Sequence, residues 1–354
     1  MLSSKWRYLS ISILFLLLVP ALAACGSTST TGGGGGATPK PGANVKVGLV
    51  TDIGGLNDKG FNHLAFLGLQ KAETDLGVQG AVKESHSDSD YVPNLTGFAT
   101  GGYNLVIAVG FLMQTAVGTV SQQFPNVKFA IIDGDPTDAQ GNTVQRANVV
   151  GLHFKEQEAG ALVGVISGML EKAHQTKGTA NTISAVGGIS IPPVNHYIAG
   201  YKWAATMEDP GVKVLVGYSN DFTDPTKCAG VANSQIAAGS DIVFQVAGGC
   251  GLGAIQAADA KGVFSIGVDT DQTSSGKNVI ASAVKRVDTA AFTAIKEVVD
   301  GSFQAGTQSF DLKNDGVGYA PGSLTLSPDI QAEVTKVEGE IKAGTVTVPD
   351  TIPA

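Results

Sequence analysis

Val- and Ile-rich runs that alternate with helical patterns constrain the fold of this chain more than any other feature. Apolar residues follow one another within these runs, as they do in strands buried on both faces of a sheet. The candidate strands are 45–50, 105–109, 127–132, 182–186, 212–216, 242–246 and 263–268. Helical patterns separate them at 61–76, 155–170, 194–207, 225–238 and 253–260. The alternation predicts an α/β protein with doubly wound parallel sheets.

These strand–helix units are too many for one comfortable sheet, so we expect two lobes with a hinged cleft between them. We assign 43–150 and about 278–315 to lobe 1, and 151–277 and about 316–354 to lobe 2. The apolar run 278–284, followed by a helical pattern at 287–299, is interpreted as the return of the chain to lobe 1.

The first 42 residues do not resemble the rest of the chain. A basic start at Lys5 and Arg7 precedes an apolar run over 9–19, which indicates a secretory signal too short to span a membrane. Its ending, Leu22-Ala23-Ala24-Cys25, resembles a bacterial lipobox. Residues 26–42 are rich in Gly, Ser, Thr and Pro, which predicts a flexible tether. We therefore expect a protein anchored through lipidated Cys25 to the extracytoplasmic face of the cell membrane.

Charge and motifs exclude several classes of function. The net charge is −8 and no basic cluster is present, which argues against nucleic-acid binding. The chain lacks a Gly-x-Ser-x-Gly elbow, a P-loop and a His-Glu-x-x-His motif. Cys228 and Cys250 match no zinc pattern; in an exported protein they could form a disulfide or remain two buried thiols. We expect a non-enzymatic protein without a metal or cofactor.

One motif favours a different function. The segment Gly249-Cys250-Gly251-Leu252-Gly253-Ala254 follows a candidate strand, opens a helical pattern and precedes Asp269 by the spacing of a dinucleotide fingerprint. An exported dinucleotide-dependent enzyme is therefore an alternative. Soluble nicotinamide cofactor is scarce outside the cytoplasm, and any tight strand-to-helix turn requires glycine, so we rank this alternative below the binding-protein interpretations.

Polar and aromatic residues follow the predicted strands and meet at one edge of a doubly wound sheet, where ligands bind. The candidate ligand-binding residues are Asp52, Asn57, Asp58, Phe61, Asn62, Phe111, Asp133, Phe222, Gly248, Asp269 and Lys285. Aromatic rings stack on a flat base, and carboxylates accept hydrogen bonds from hydroxyl or ring N–H groups. The lack of an Arg–Lys cluster favours a neutral nucleoside over a nucleotide. Asp52 and Asp58 could instead cap the following helix, and Phe61 could belong to the core.

Several stretches in the same order resemble the basic membrane protein family, the PnrA-like substrate-binding lipoproteins of ABC transporters. They are Thr51-Asp52-x-Gly54-Gly55-x-x-Asp58-x-x-Phe61-Asn62, Phe154-x-x-Gln157-Glu158-Ala159-Gly160, Gly187-Gly188 with Pro193 and Gly200-Tyr201, Gly267-Val268-Asp269-x-Asp271-Gln272, and Lys285-Arg286-Val287-Asp288. The resemblance covers nearly the whole chain after the tether.

The resemblance implies a type I periplasmic-binding-protein fold that delivers purine nucleosides to an ABC permease. It places the family's base-contacting carboxylate and stacking ring on Asp52 and Phe61, and its ribose contacts on Asp269 and Lys285. The chain departs from the family at Gly60, where serine is usual, and at its two later cysteines, which supports a local disulfide. A receptor for a sugar or signalling molecule, or a sensor of occupancy, remains an alternative.

Overall fold

Two six-stranded sheets organise residues 40–353, the part of the chain that our computed structural model describes. The strands are β1 (Lys46–Val50), β2 (Gln79–Lys83), β3 (Leu105–Val109), β4 (Lys128–Ile132), β5 (Val149–Phe154), β6 (Thr182–Gly187), β7 (Lys213–Tyr218), β8 (Ile242–Val246), β9 (Phe264–Asp269), β10 (Val279–Lys285), β11 (Gly306–Phe310) and β12 (Val317–Pro321). The helices are α1 (Phe61–Leu76), α2 (Tyr91–Thr100), α3 (Gln114–Gln123), α4 (Glu156–Lys172), α5 (Pro192–Glu208), α6 (Pro225–Ala237), α7 (Gly248–Lys261), α8 (Val287–Asp300) and α9 (Pro328–Ala343).

The two sheets have closely similar topologies. Lobe 1 has the strand order β11-β5-β4-β3-β1-β2, and lobe 2 has the order β12-β10-β9-β8-β6-β7. All neighbouring strands run parallel except β10 and β12. Central strands such as β3 and β8 are buried along their whole length because helices cover both faces. The predicted fold class, two doubly wound lobes, is confirmed.

The predicted course of the chain between the lobes is wrong at one strand. Residues 279–285 form β10, which pairs with β9 and β12 in lobe 2 rather than returning to lobe 1. An apolar run fits the middle of either sheet, so its sequence does not specify which neighbour it pairs with. The return to lobe 1 begins with α8, which packs on α1. Lys285, the last residue of β10, is therefore supplied by lobe 2.

The other crossings lie close to the ends of strands. β5 pairs with β4, so lobe 1 continues to Phe154, a few residues beyond the boundary that the sequence indicated. The chain leaves lobe 1 for the last time after β11, and β12 and α9 belong to lobe 2. Cys25 and most of the predicted tether lie outside the described residues. Gly42, its last residue, donates its N–H to Leu76 O at 2.8 Å. Between residues 40 and 353, no helix has the length and apolarity needed to cross a membrane.

Glycines allow α4 and α5 to cross closely, and this crossing places several side chains of the site described below. A Cβ on Gly160 would lie 2.2 Å from Tyr197 O, and one on Gly200 would lie 1.9 Å from Gln157 O. Such distances are too short for any side chain, so the two backbones are in direct contact. The first turns of both helices thereby face the cleft between the lobes.

Candidate functional site

The carboxyl ends of the two sheets face each other across a cavity that residues of both lobes line. Lobe 1 contributes Asp52, Asp58, Phe61, Asn62, Phe111 and Asp133 to its walls, and lobe 2 contributes Tyr197, Phe222, Gly248, Asp269 and Lys285. All predicted site residues except Asn57 line this cavity.

Asp52 is held at the end of β1 by a neighbouring amide. The Asn62 side chain accepts from the Asp52 N–H at 3.1 Å and donates to Asp52 Oδ1 at 2.7 Å, while Gly54 N–H donates to the same oxygen at 2.8 Å. Asp52 Oδ2 accepts no hydrogen bond from the described residues. Burial raises the pKa of Asp52 to about 6, although these hydrogen bonds oppose it. The free oxygen can accept a hydrogen bond from a ligand.

Asp58 and Asn57 do not match the roles predicted for them. Both Asp58 oxygens accept hydrogen bonds at the start of α1, from the N–H groups of Gly60, Asn62 and His63 and from the Asn62 side chain. Asp58 is thus a helix cap that also forms part of the cavity wall, as the capping alternative predicted. The structure does not bring Asn57 together with the other predicted ligand-binding residues, because its side chain is exposed and lies outside the cavity lining.

Three half-buried aromatic rings reach the cavity from different elements. Phe61 begins α1, Phe111 follows β3, and Phe222 lies in the loop between β7 and α6. Gly248 opens α7 with a φ of +54°, a conformation that favours glycine, and its backbone packs beside Phe222. Ile191, Pro193 and Val194 add an apolar wall that the sequence did not predict. Flat apolar surface therefore surrounds the polar groups.

Asp269 ends β9 with a φ of +65°, and its carboxylate is buried in the cavity wall. Tyr197 OH donates to Asp269 Oδ1 at 3.2 Å. Burial raises the pKa of Asp269 to about 7, against the opposing attraction of Lys285. Oδ2 lies against the other lobe, since a Cβ on Gly60 would be 3.2 Å from it. Asp269 Oδ2 accepts no hydrogen bond from residues 40–353, so it is available to a ligand.

Lys285 is buried between two carboxylates and connects the lobes. Its Nζ donates to Asp133 Oδ2 at 2.6 Å and to Glu156 Oε1 at 2.8 Å, and it lies 5.0 Å from the centre of the Phe61 ring. His196 Nδ1 lies 3.1 Å from Glu156 Oε2. Burial alone would lower the pKa of Lys285, but the carboxylates raise it above its ordinary value. Burial raises the pKa of Asp133, and the positive charge of Lys285 partly offsets this increase.

Sequence reasoning missed Glu156, Tyr197 and His196. Glu156 follows the end of β5 as Asp133 follows the end of β4, so the same strand-end signal would have found it had 149–154 been recognised as a strand. Tyr197 and His196 lie within α5, where the sequence pattern gives no sign that Tyr197 reaches the cavity or that His196 contacts Glu156. Both occur because the glycines described above bring α5 against α4.

Helix packing explains the glycines of the dinucleotide-like motif. The motif lies inside α7, where a Cβ on Gly253 would be 1.8 Å from Pro225 O and one on Gly251 would be 1.7 Å from Gln245 Oε1. Cys250 forms a disulfide with Cys228 of α6, with 5.5 Å between their Cα atoms. The glycines thus allow α7 to lie against α6 and β8.

The two lobes and the cavity between them are the architecture of a solute-binding protein. An ABC transporter system solute-binding protein from Aeropyrum pernix has the same fold, with a TM-score of 0.76 and 29% identity, covering 86% of this chain and 94% of that one. The profile of the family described as ABC transporter substrate-binding protein PnrA-like matches residues 45–351. The chain belongs to this family, and the resemblance drawn from its motifs is confirmed.

Two relatives illustrate the family. The ABC transporter nucleoside-binding protein BmpA of Lactococcus lactis is 31% identical, over 98% of this chain and 99% of its own length. An uncharacterized lipoprotein of Pyrococcus furiosus is 35% identical, over 80% of this chain and 71% of its own length. The chain is accordingly a substrate-binding protein of an ABC transporter, and proteins described as lipoproteins are among its relatives.

Proposed function

We propose that this protein binds a purine nucleoside in the interlobe cavity and delivers it to an ABC permease, while lipidated Cys25 anchors it outside the cell membrane. The observation that carries the proposal is a cavity whose flat aromatic walls enclose free carboxylate oxygens but no free cation among the described residues. This combination suits a planar, neutral ligand that carries several hydrogen-bond donors.

The base would bind on the side of lobe 1. Phe61 and Phe111 line this side of the cavity, and Asp52 Oδ2 is a free acceptor near Phe61. Stacking on an aromatic side chain contributes about 1–3 kcal/mol per base. Asn62 fixes Asp52 through two hydrogen bonds and would orient the base indirectly.

The sugar would bind on the side of lobe 2. Asp269 Oδ2 is the second free acceptor, and a carboxylate matches adjacent hydroxyl groups. Lys285 lies nearby but is already paired with Asp133 and Glu156, so it adds no net positive charge for a phosphate. A nucleoside therefore fits this electrostatic environment better than a nucleotide.

Isothermal titration calorimetry with adenosine, guanosine, inosine, cytidine, uridine, ribose and glucose tests the proposal on protein freed of co-purified ligand. We expect saturable binding of at least one purine nucleoside and no binding of free sugars. Saturation by a sugar alone would refute the proposal in favour of a sugar receptor. Mass spectrometry of the ligand that co-purifies with the protein provides an independent test.

A site variant locates the ligand. Asp269→Ala removes a charged acceptor, and hydrogen bonds to charged groups contribute about 1.5–3 kcal/mol, so we expect affinity to fall by about 10–150-fold. Asp271→Ala is the matched control, because Asp271 lies two residues further along in an exposed turn. Equal affinities for Asp269→Ala and Asp271→Ala would remove Asp269 from the site.

A further inference from the structure

A second cavity borders the first near the crossings between the lobes. The two cavities share Phe111, Asp133 and Pro193, so they adjoin. The other residues that line the second cavity are Gln114, Gly134, His153, Phe154, Glu156, Pro192 and His196. None of the contacts proposed above for the base or the sugar requires this space.

Polar groups in the second cavity have hydrogen-bonding capacity that no described residue uses. Asp133 binds Lys285 through Oδ2, while its buried Oδ1 has no partner within residues 40–353. Gln114 accepts from Asp135 N–H through Oε1, which leaves its amide NH₂ free of described partners. His196 uses Nδ1 on Glu156, and its Nε2 is not engaged by any described residue. Buried polar atoms in folded proteins nearly always have a partner, so an occupant is expected at Asp133 Oδ1.

We propose that this second cavity receives a substituent on the 5′ carbon of the ligand's sugar, and that it favours neutral or cationic hydrogen-bond donors over phosphate. The inference rests on the nucleoside-binding function proposed above. With the base beside Asp52 and Phe61 and the sugar at Asp269, the sugar lies next to Lys285. Asp133 is bonded to Lys285 and lines both cavities, so a group that extends past Lys285 enters the second cavity.

The charge of the second cavity determines the preferred substituent. Its walls carry the carboxylates of Asp133 and Glu156, which share the cation of Lys285, and the imidazoles of His153 and His196, which add no charge in their neutral forms. A phosphate would enter a space with a net excess of negative charge and would lose its hydration there. An ammonium, amide or hydroxyl group could donate to Asp133 Oδ1 and would be attracted by the same excess.

Derivatives of one nucleoside test the inference. The probes are the purine nucleoside that binds, its 5′-amino-5′-deoxy analogue and its 5′-monophosphate, titrated by calorimetry at pH 7. We expect the amino analogue to bind within about threefold of the parent or more tightly, and the monophosphate at least about 100-fold more weakly. An amino analogue that binds about 100-fold more weakly than the parent would overturn the inference.

A charge placed in the second cavity alone distinguishes it from the first. Gln114→Glu keeps the oxygen that accepts from Asp135 N–H and adds a negative charge to a wall that the first cavity lacks. We expect this variant to increase the preference for the amino analogue over the parent by at least about threefold. Gln123→Glu, at the exposed far end of the same helix, is the control and should leave the preference unchanged.

The outcomes separate the two proposals. Binding of the parent nucleoside with an unchanged preference in Gln114→Glu would overturn only the role of the second cavity, because the substituent would then lie elsewhere. Failure of every nucleoside to bind wild-type protein would refute the proposed function, and this inference with it.

Discussion

Replacing Lys285 with Met should destabilise this protein far more than the loss of a surface lysine. Lys285 is only 2% exposed and is hydrogen-bonded to two carboxylates that are themselves buried, Asp133 in lobe 1 and Glu156 at the start of α4. Methionine fills a similar volume but leaves both carboxylates without their cation. Removing one member of a buried ion pair typically costs about 3–5 kcal/mol, because the remaining charge is uncompensated.

The size of the effect can be expressed as a melting temperature. At about 2 °C per kcal/mol for a protein of this size, the cost corresponds to a decrease of roughly 6–10 °C. Lys296→Met removes an exposed i,i+4 pair with Asp300, which contributes under about 1 kcal/mol, and should change the melting temperature by no more than about 2 °C. Differential scanning calorimetry on ligand-free protein measures both variants.

The pH dependence tests the electrostatic cause. Without Lys285, the pKa values of Asp133 and Glu156 rise in the folded protein, and a carboxylate with a raised folded pKa loses stability as pH increases. The deficit of Lys285→Met should therefore be smaller at pH 5, where protons replace the lost cation, than at pH 8. Adding Glu156→Gln to Lys285→Met should restore part of the lost stability at pH 8. A loss of stability equal to that of Lys296→Met, or one identical at pH 5 and pH 8, would show that the buried ion pairs of Lys285 do not stabilise the protein.

Three further predictions address other parts of the molecule. Burial raises the pKa of Glu171 to about 7, so ionisation of Glu171 destabilises the folded protein as the pH rises from about 4.5 to 7. Glu171→Gln should therefore raise the melting temperature at pH 8 but not at pH 4. A lower melting temperature at pH 8 would contradict this prediction. Replacing Cys228 and Cys250 with Ser opens a loop with a sequence separation of 22 residues and should lower the free energy of unfolding by about 3 kcal/mol, as measured by urea denaturation. An unchanged free energy of unfolding would show that the disulfide does not constrain the unfolded chain. Gly60→Val places a larger side chain against Asp269 Oδ2 and should weaken nucleoside binding more than about tenfold, with little change in the melting temperature of the ligand-free protein. Wild-type affinity would mean that the two lobes do not meet at Gly60 and Asp269 when the ligand binds.

Local patterns were sufficient to predict most of the fold. The strands 105–109 and 242–246 and the helix 61–76 have the predicted bounds, because continuous apolar runs and helical periodicity are properties of the segment itself. The sheet to which β10 belongs depends instead on pairing with β9 and β12, which are distant contacts. Its sequence is equally compatible with either sheet, so no local signal could place it.

The residues of the candidate site also fall into those that a local pattern predicts and those that depend on distant contacts. Asp52, Asp133 and Asp269 were predicted because a carboxylate at the end of a buried strand must lie at the ligand-binding edge of its sheet. Sequence alone could not separate Asp58, whose oxygens cap α1, from Asp52, which keeps one oxygen free. Tyr197 depends on how two helices cross, and that is decided by packing rather than by its neighbours in sequence.

The contacts between the lobes suggest how binding and closure are coupled. Gly60 lies against Asp269, and the Gln272 side chain donates to Lys59 O at 3.4 Å, so the loop before α1 touches lobe 2 beside the cavity. The Lys285–Asp133 pair favours this arrangement, whereas the buried carboxylates of Asp52 and Asp269 oppose it, and burial raises the pKa of both. A ligand that donates hydrogen bonds to both carboxylates removes that opposition only when the lobes are together. We therefore expect its affinity for this arrangement to exceed its affinity for one with the lobes apart, and under the function proposed above this difference would shift the protein towards the arrangement presented to the permease.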